Sequence, residues 1–445
     1  MNKGNYQTPT GQALASSNSS GWARLILHPA FIPLCIGVSL MLRLLVGTLI
    51  PIEQASDAGW YVGRAMDLAA GRGYQEQGMA TAYWPVGWPA ILAFGYTVIG
   101  SMPATILIIN LLSALGTMLL ILWFGRMVTG QELVGRIALL AYALYPNHIA
   151  YAGQAATEPV YTLIAMGAFA LMIVGGKRPR LLLISGLLFG IGTLVKPQTI
   201  MFPVGAAIAM ALVFQGYSWR LAVRAAVVVY LSLLLVVLPW AYRNWNVFGE
   251  FVLVSTNGGT ALLLGANDQL TGDHFEYQHT PVFTQFGIPW DQRVARQLEL
   301  DRKQKEAGSR WIRENPSEYI AWMPKKVVML WLKDTDGFWA FDRTYPNATP
   351  WIRMVQYLNQ AFYVLVLLLA LLAAWPALTG MIQRHDQKAR LALLYCMPVF
   401  VSLLAAVFTG QIRYHFPAMP FLFLAAAWWL VARGQSSSSP AAGVD

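Results

Sequence analysis

The chain has 445 residues, 56% of them hydrophobic and only 12% charged, roughly half the charge of an ordinary soluble domain. Its formal excess of +10 comes without a basic patch interleaved with aromatics, so it reports membrane topology and argues against nucleic acid as a partner. Seventeen Trp and nineteen Tyr suit long membrane interfaces. The composition is that of an integral membrane protein, in which polar residues are the informative ones.

Taken in chain order, the first 28 residues are rich in Ser, Gln, Asn and Gly and read as a disordered cytoplasmic N-terminus. About ten apolar stretches long enough to cross a bilayer follow, near 29–50, 104–125, 134–152, 159–175, 181–195, 198–214, 225–241, 357–375, 391–409 and 418–433. The first is too long for a secretory h-region and reads as an uncleaved anchor. The fifth and sixth meet at Lys196-Pro197, a tight turn or a broken helix. This divides the chain into seven spans over 29–241, with a first outer loop at 51–103, then an outer segment at 242–356, three spans over 357–433 and a cytoplasmic tail at 434–445. The fold class expected is an all-α polytopic membrane protein with a small mixed periplasmic subdomain.

Orientation follows from the basic loops. Arg126 and Arg136, then Lys177, Arg178 and Arg180, then Arg220 and Arg224, then Arg384, Lys388 and Arg390 share one side, the cytoplasmic one. Nearly every acid lies on the other; Glu132, Asp386 and Asp445 are the exceptions. An even span count puts both termini in the cytoplasm. Cys35 and Cys396 fall inside spans, so no disulfide framework is expected. No His/Cys cluster has zinc spacing, and the absence of an internal repeat weighs against an inverted-repeat transporter.

In the first outer loop, "SDAGWYVGRAMDLAAGRGY" reads as a helix from Asp57 to about Ala70, stopped by Gly71-Arg72-Gly73. Asp57, Tyr61, Arg64 and Leu68 share one face of it. "AYWPVGWP", Ala82 to Pro89, is rigid and aromatic and belongs at headgroup level. In the second outer segment "EFVLVST", Glu250 to Thr256, alternates like a short strand. A charged helical pattern runs from Trp290 to Asn315, and Ser317 to Leu332 reads as an amphipathic interfacial helix.

These residues carry a family likeness. The outer-loop acid followed by "GWYVGRAMDLAAGRGY" and "WPVGWPAILAF", then "RNWNVFGEFVLVSTNGGTALLLGAND", "WIRENPSEYIAWMPKKVVMLW" and "RYHFPAMPFL" together resemble the GT-C glycosyltransferases. The branch is the protein-mannosyltransferase-like one, family 39 type, of bacterial lipid-carrier-dependent enzymes. The likeness runs from Asp57 to Leu422. Two departures are visible: Ala58 follows Asp57 where many relatives have a second acid, and Lys196-Pro197 stands where many have Arg-Pro, which replaces a fork by a point charge.

The resemblance implies an inverting transfer of a sugar from polyprenyl (undecaprenyl) phosphate to an acceptor hydroxyl at the periplasmic face of a bacterial inner membrane. The acceptor is a lipid, a glycan or a protein, and membrane lipids surround the site. It implies Asp57 as the base, although Asp57 also suits an N-cap, and Glu158 as a second acid that binds acceptor or sugar, or caps a helix beginning at Pro159. Lys196, Arg243 and Arg413 break the positive-inside trend, as a phosphate clamp or as snorkelling cations. His415 is a hydrogen-bond donor to the phosphate or an interfacial aromatic. Tyr61, Tyr83 and Trp84 are sugar-contact candidates beside the aromatic-belt reading. Asn257 and Asn267 are candidates beside ordinary turn chemistry. His148 reads as structural. Asp268 and Asp273 lack the alternating oxygens of a calcium loop, and no cofactor and no catalytic metal are expected, three cations standing in for one. The rival readings are an O-antigen polymerase or ligase using a lipid diphosphate, and a transporter or flippase.

Overall fold

The computed structural model describes residues 21–176, 178–269, 280–383 and 385–436. Helix α1 (Gly21–Leu27) leads into α2 (Phe31–Leu49), the first span. Then come α3 (Asp57–Ala69), a hairpin of β1 (Gln75–Glu76) and β2 (Met79–Ala80), and α4 (Gly87–Ile99). Helix α3 stops where predicted, because Gly71 and Gly73 take φ of +71° and +82°, which only glycine adopts freely. The membrane bundle continues with α5 (Met102–Thr129), α6 (Glu132–Ala143), α7 (Pro146–Ala150), α8 (Glu158–Gly175), α9 (Pro179–Val195), α10 (Phe202–Val213) and α11 (Trp219–Phe248). The second outer segment holds α12 (Gly258–Leu264), α13 (Pro281–Thr284), α14 (Gln297–Glu314), α15 (Pro316–Leu332) and α16 (Trp339–Thr344). Helices α17 (Thr349–Ile382), α18 (Asp386–Arg390), α19 (Cys396–Val407) and α20 (Met419–Ser436) complete the chain.

Among the described residues, seven helical stretches are long and apolar enough to span a membrane. Two further predicted stretches are shorter apolar segments, Pro179–Val195 and Pro197–Val213. They meet in a tight turn. Lys196 is extended, a 3-10 turn spans Pro197–Met201, and the chain returns until Tyr217 lies against Gly176, so close that a Cβ there would sit 2.9 Å from its ring.

The stretch at 134–152 is not one helix. It divides at Leu144-Tyr145, before Pro146, which has no N–H to give and forces its predecessor out of the helical region. The division, and the turn that follows α7, leave carbonyls inside the bundle without full helical pairing. Arg43, only 2% exposed in the middle of α2, donates to the carbonyls of Tyr142 and Ala143 at 3.4 Å each. Asn110 donates to the carbonyls of Tyr151, Ala152 and Gln154 at 2.9–3.0 Å. Intramembrane polar groups here meet the backbone's demand.

The expected strand at Glu250–Thr256 does not form; β1 and β2 make the only sheet among the described residues. The segment is extended, but no neighbouring strand reaches it. Trp240 Nε1 donates to Val254 O at 2.7 Å and Asn244 Nδ2 to Val252 O at 3.0 Å, both from α11. Thr256 N donates to Ala82 O at 2.8 Å. Among its described residues the second outer segment is helical, without a strand.

The two outer segments are laced together. Gln297 accepts from Ala82 N at 2.8 Å and donates to Ala80 O at 3.1 Å. Arg293 pairs with Glu76, which also accepts from Trp60 Nε1 at 2.9 Å. At the opposite end of the bundle, Glu132 holds Arg126 and Arg136 at 3.0 and 2.6 Å, and Arg136 donates to the carbonyls of Ile26 and His28. The bundle thus has a basic end and, opposite it, an end capped by the outer segments.

Candidate active site

At the capped end, helix termini from distant parts of the chain enclose a cavity of about 530 Å³. The start of α3 supplies Asp57 and Tyr61, the start of α8 Glu158, the turn after α9 Lys196, the 3-10 turn before α16 Asp336, and the 3-10 segment Ile412–Ala418 Arg413. A short glycine contact sets one wall. A Cβ on Gly87 would lie 2.5 Å from the Leu194 carbonyl carbon. That approach brings Trp84-Pro85 beside Lys196, and Trp88, fully buried, donates from Nε1 to Ala155 O at 2.9 Å.

The charged side chains form two pairs. Asp57 Oδ2 lies 2.7 Å from Arg413 Nη2, with side chains 25% and 27% exposed. Glu158 Oε1 lies 3.0 Å from Lys196 Nζ, with side chains 4% and 13% exposed. Tyr414 packs beside both cations, its ring centroid 5.4 Å from Lys196 Nζ and 5.8 Å from Arg413 Cζ. Asp57 is not the N-cap of α3. It is the first helical residue; Ser56 occupies the cap at φ +52° with no side-chain cap bond. The carboxylate turns to Arg413 instead. Glu158 likewise opens α8 just before Pro159, and Thr157 Oγ1 donates to its second oxygen at 3.1 Å.

Several functional-looking residues were not evident in the sequence. Asp336 accepts from Tyr151 Oη at 2.7 Å and faces the cavity. Burial pushes its carboxyl above the ordinary range, Arg413 and the Tyr151 hydrogen bond oppose that, and Glu158 and Asp334 add to it. Gly337 fixes its place, since a Cβ there would meet Asn147 Oδ1 at 2.6 Å. The signal that could have found it is "KDTDGF", two acids and a glycine directly after an apolar helix. Gln154 and Trp339 also line the cavity. Burial, and after it the charge of Asp57, holds the Tyr61 phenol well above its usual range, so it stays a neutral hydrogen-bond donor.

Of the residues singled out in the sequence, Asp57, Tyr61, Trp84, Glu158, Lys196, Asn257 and Arg413 converge on the cavity. Four do not. Arg243 donates to the carbonyls of Thr81 and Tyr74 at 3.0 Å each and ties α11 to the first outer loop. His415 is 1% exposed, between Leu330 O at 2.7 Å and Asp334 Oδ1 at 3.1 Å. Tyr83 is buried against Trp84 and Trp290. Asn267 donates to Leu263 O at 2.7 Å and accepts from Gln269 N at 2.8 Å, which is turn chemistry. His148 stacks on Phe416 at 3.7 Å between centroids, as a structural residue does. Asp268 accepts from Trp311 Nε1 at 2.7 Å, and Asp273 lies outside the described residues.

One helical turn beyond Gln198, which lines the cavity, an apolar groove of about 350 Å³ begins at Phe202. It follows Gly205, Ile208 and Leu212 along α10, with Phe400 and Leu403 of α19 opposite. The 3-10 turn Pro197–Met201 joins the cavity-lining end of α9 to α10, which lines the groove.

Residues 84–242 match the family model described as dolichyl-phosphate-mannose-protein mannosyltransferase. Among solved structures, the fold is similar to that of the oligosaccharyltransferase AglB from Archaeoglobus fulgidus in complex with an inhibitory peptide and a dolichol-phosphate. The TM-score is 0.53 at 11% identity, over 95% of this chain and 52% of that one. The apo form of the Archaeoglobus fulgidus oligosaccharyltransferase gives 0.55 at 12% identity, over 94% and 53%. The chain thus spans about half the length of these proteins. ArnT from Cupriavidus metallidurans bound to undecaprenyl phosphate aligns over 94% of this chain and 79% of that one at 16% identity, but its TM-score of 0.40 adds nothing to the fold argument. No curated protein sequence matches significantly.

Proposed function

We propose that this chain, whose residues 84–242 match the protein-mannosyltransferase family model and whose fold is similar to that of the oligosaccharyltransferase AglB, transfers a sugar from a polyprenyl-phosphate carrier to an acceptor hydroxyl, at the periplasmic face of a bacterial inner membrane. One observation carries the reading. Two acid–cation pairs, Asp57–Arg413 and Glu158–Lys196, meet in a single cavity at the helix ends, and an apolar groove runs along α10, the helix that follows the cavity-lining turn at Pro197 and Gln198. A lipid-borne phosphate needs that combination: its tail stays among the helices and its head reaches only headgroup depth. The basic end of the bundle lies opposite, and the positive-inside bias supports a cytoplasmic position for that end.

The chemistry follows from the residues. Asp57 accepts the proton of the acceptor hydroxyl as its oxygen attacks the anomeric carbon. The bond from that carbon to the phosphate oxygen breaks on the opposite side, so configuration inverts. The departing polyprenyl phosphate gains a negative charge, which Arg413 and Lys196 stabilise. Glu158 orients Lys196, and Tyr61, Trp84 and Asn257 face the sugar or the acceptor. The proposal gives the phosphate to these two cations, so transfer should survive removal of divalent ions by a chelator.

Asp57→Asn tests the assignment. It keeps the shape of the side chain but cannot take a proton. Envelope glycans of a deletion strain complemented with wild-type protein should regain the mass of the missing sugar. Complementation with Asp57→Asn should leave transfer down by at least about 10²-fold, the lower end for a positioned base. Near-normal transfer would pass the role of base to Glu158. A transporter or flippase would leave the carrier's sugar untransferred with the wild-type protein as well.

A further inference from the structure

The cavity lining holds three carboxylates, Asp57, Glu158 and Asp336, against two cations, Lys196 and Arg413. Each cation is already engaged, Lys196 by Glu158 at 3.0 Å and Arg413 by Asp57 at 2.7 Å. A phosphate brings a further negative charge into a lining where acids outnumber bases. It can be held well only if it draws a cation away from a carboxylate.

The two pairs are not equally available. Glu158 and Lys196 are 4% and 13% exposed, and Thr157 supports the carboxylate as well. Separating them would leave a buried carboxylate with no cation and only the Thr157 hydroxyl, the costly case. Asp57 and Arg413 are 25% and 27% exposed, so a released carboxylate there meets solvent. Arg413 also has capacity left. Its Nε is buried with no hydrogen-bond partner among the described residues, so its fork is only partly used, and phosphate suits the whole fork. Asp57, for its part, opens the 13-residue helix α3, whose N-terminal dipole stabilises a carboxylate that has lost its cation.

We propose that the donor's phosphate takes Arg413 from Asp57, so that arrival of the donor is itself the event that frees the catalytic base. The inference rests on the polyprenyl-phosphate reading given above. In the resting protein the base is tied to a guanidinium and cannot serve an acceptor; with the donor in place, the same guanidinium faces the phosphate and Asp57 faces the acceptor hydroxyl. After transfer, Asp57, which is part-exposed, gives up its proton to solvent and competes for Arg413 again, which helps to expel the carrier phosphate. Acceptor activation is thereby confined to molecules that already hold a donor.

Competition predicts a gain of binding from loss of the base. With purified full-length protein in nanodiscs and undecaprenyl phosphate as the probe, Asp57→Asn should bind at least about threefold more tightly than wild type, the low end of couplings between contacting charges. In an Arg413→Gln background the same substitution should change nothing. Asp57→Ser serves in its place if the Asn variant does not fold. Unchanged or weaker binding in Asp57→Asn overturns the inference and leaves the lipid-carrier reading standing. Equal tightening in both backgrounds also overturns it, because removal of one negative charge then explains the gain without any exchange at Arg413. If wild type fails to bind undecaprenyl phosphate at all, the lipid-carrier reading fails, and the inference with it.

Discussion

Two acids two residues apart, Asp334 and Asp336, meet two basic side chains two residues apart, His415 and Arg413, and the two meetings differ in kind. Asp334 is sealed. It is 2% exposed and accepts from Tyr145 Oη, Asn147 Nδ2 and His415 Nε2, while Gln360 and Asn359 hold its backbone. Asp336 looks into the cavity with the Tyr151 hydroxyl as its hydrogen bond and Arg413 across from it. Similar ingredients serve as a rivet in one place and as a working surface in the other. What separates them is saturation: a carboxylate with both oxygens engaged by buried donors holds the chain together, and one with capacity left can meet a ligand.

The comparison breaks first on stability. Asp334→Ala removes one acceptor from three buried donors and should cost roughly 3 kcal/mol or more, seen as a large drop in thermal unfolding temperature or a loss of monodisperse protein. Asp336→Asn should fold normally; equal damage from both would erase the distinction.

On the cavity side, Lys196→Ala and Arg413→Ala should each lower transfer by about 2–4 kcal/mol in barrier, the scale of a lost charge-stabilising donor, with Lys196→Arg milder. Arg243→Ala should leave transfer per folded molecule almost unchanged, since its guanidinium serves backbone carbonyls. Wild-type rates in the Lys196 and Arg413 variants would assign both to headgroup anchoring.

A third test moves the wall and not the charges. Gly87→Val forces a side chain into the Leu194 backbone and should cost about 1–3 kcal/mol of stability by overpacking, while displacing Trp84-Pro85 from Lys196. Transfer should fall further than the loss of folded protein explains.

The smallest effect concerns pH. The Asp336 carboxyl is raised by burial, so between its unfolded and folded values the folded protein binds more protons than the unfolded chain. Its contribution to stability is therefore full below the ordinary carboxylate range and is lost as pH rises through the raised value. Asp336→Asn should melt alongside wild type at acid pH and above it at neutral pH. A gap that stays constant with pH would remove Asp336 from the titrating groups. Sidedness has its own measurement: with Cys35 and Cys396 replaced, a cysteine at Glu306 should react with an impermeant reagent from outside, and one at Gln383 should not.

Much of this was legible in the chain. Hydropathy alone located nine of the ten apolar stretches as helical segments, because a bilayer demands unbroken apolar length and internally bonded backbone. The basic loops picked out one end of the bundle, and the exceptions to that bias, Lys196 and Arg413, led to the cavity because a charge left at the wrong end needs a reason. Arg243 broke the same rule for a different reason, to satisfy carbonyls, and one-dimensional reasoning cannot separate those cases. Local pattern also misled where tertiary partners decided the outcome. "EFVLVST" alternates like a strand, but a strand exists only if another reaches it, and here side chains of α11 took its carbonyls. The stretch at 134–152 is largely apolar, yet it breaks before Pro146, and the break is tolerated because Arg43, about a hundred residues earlier, donates to the carbonyls there. Composition and periodicity determined that this is a helical membrane protein with polar helix ends on one side. Which of those ends meet, and whether each charge there is saturated or open, depended on contacts between segments far apart in sequence, and those only the folded chain decides.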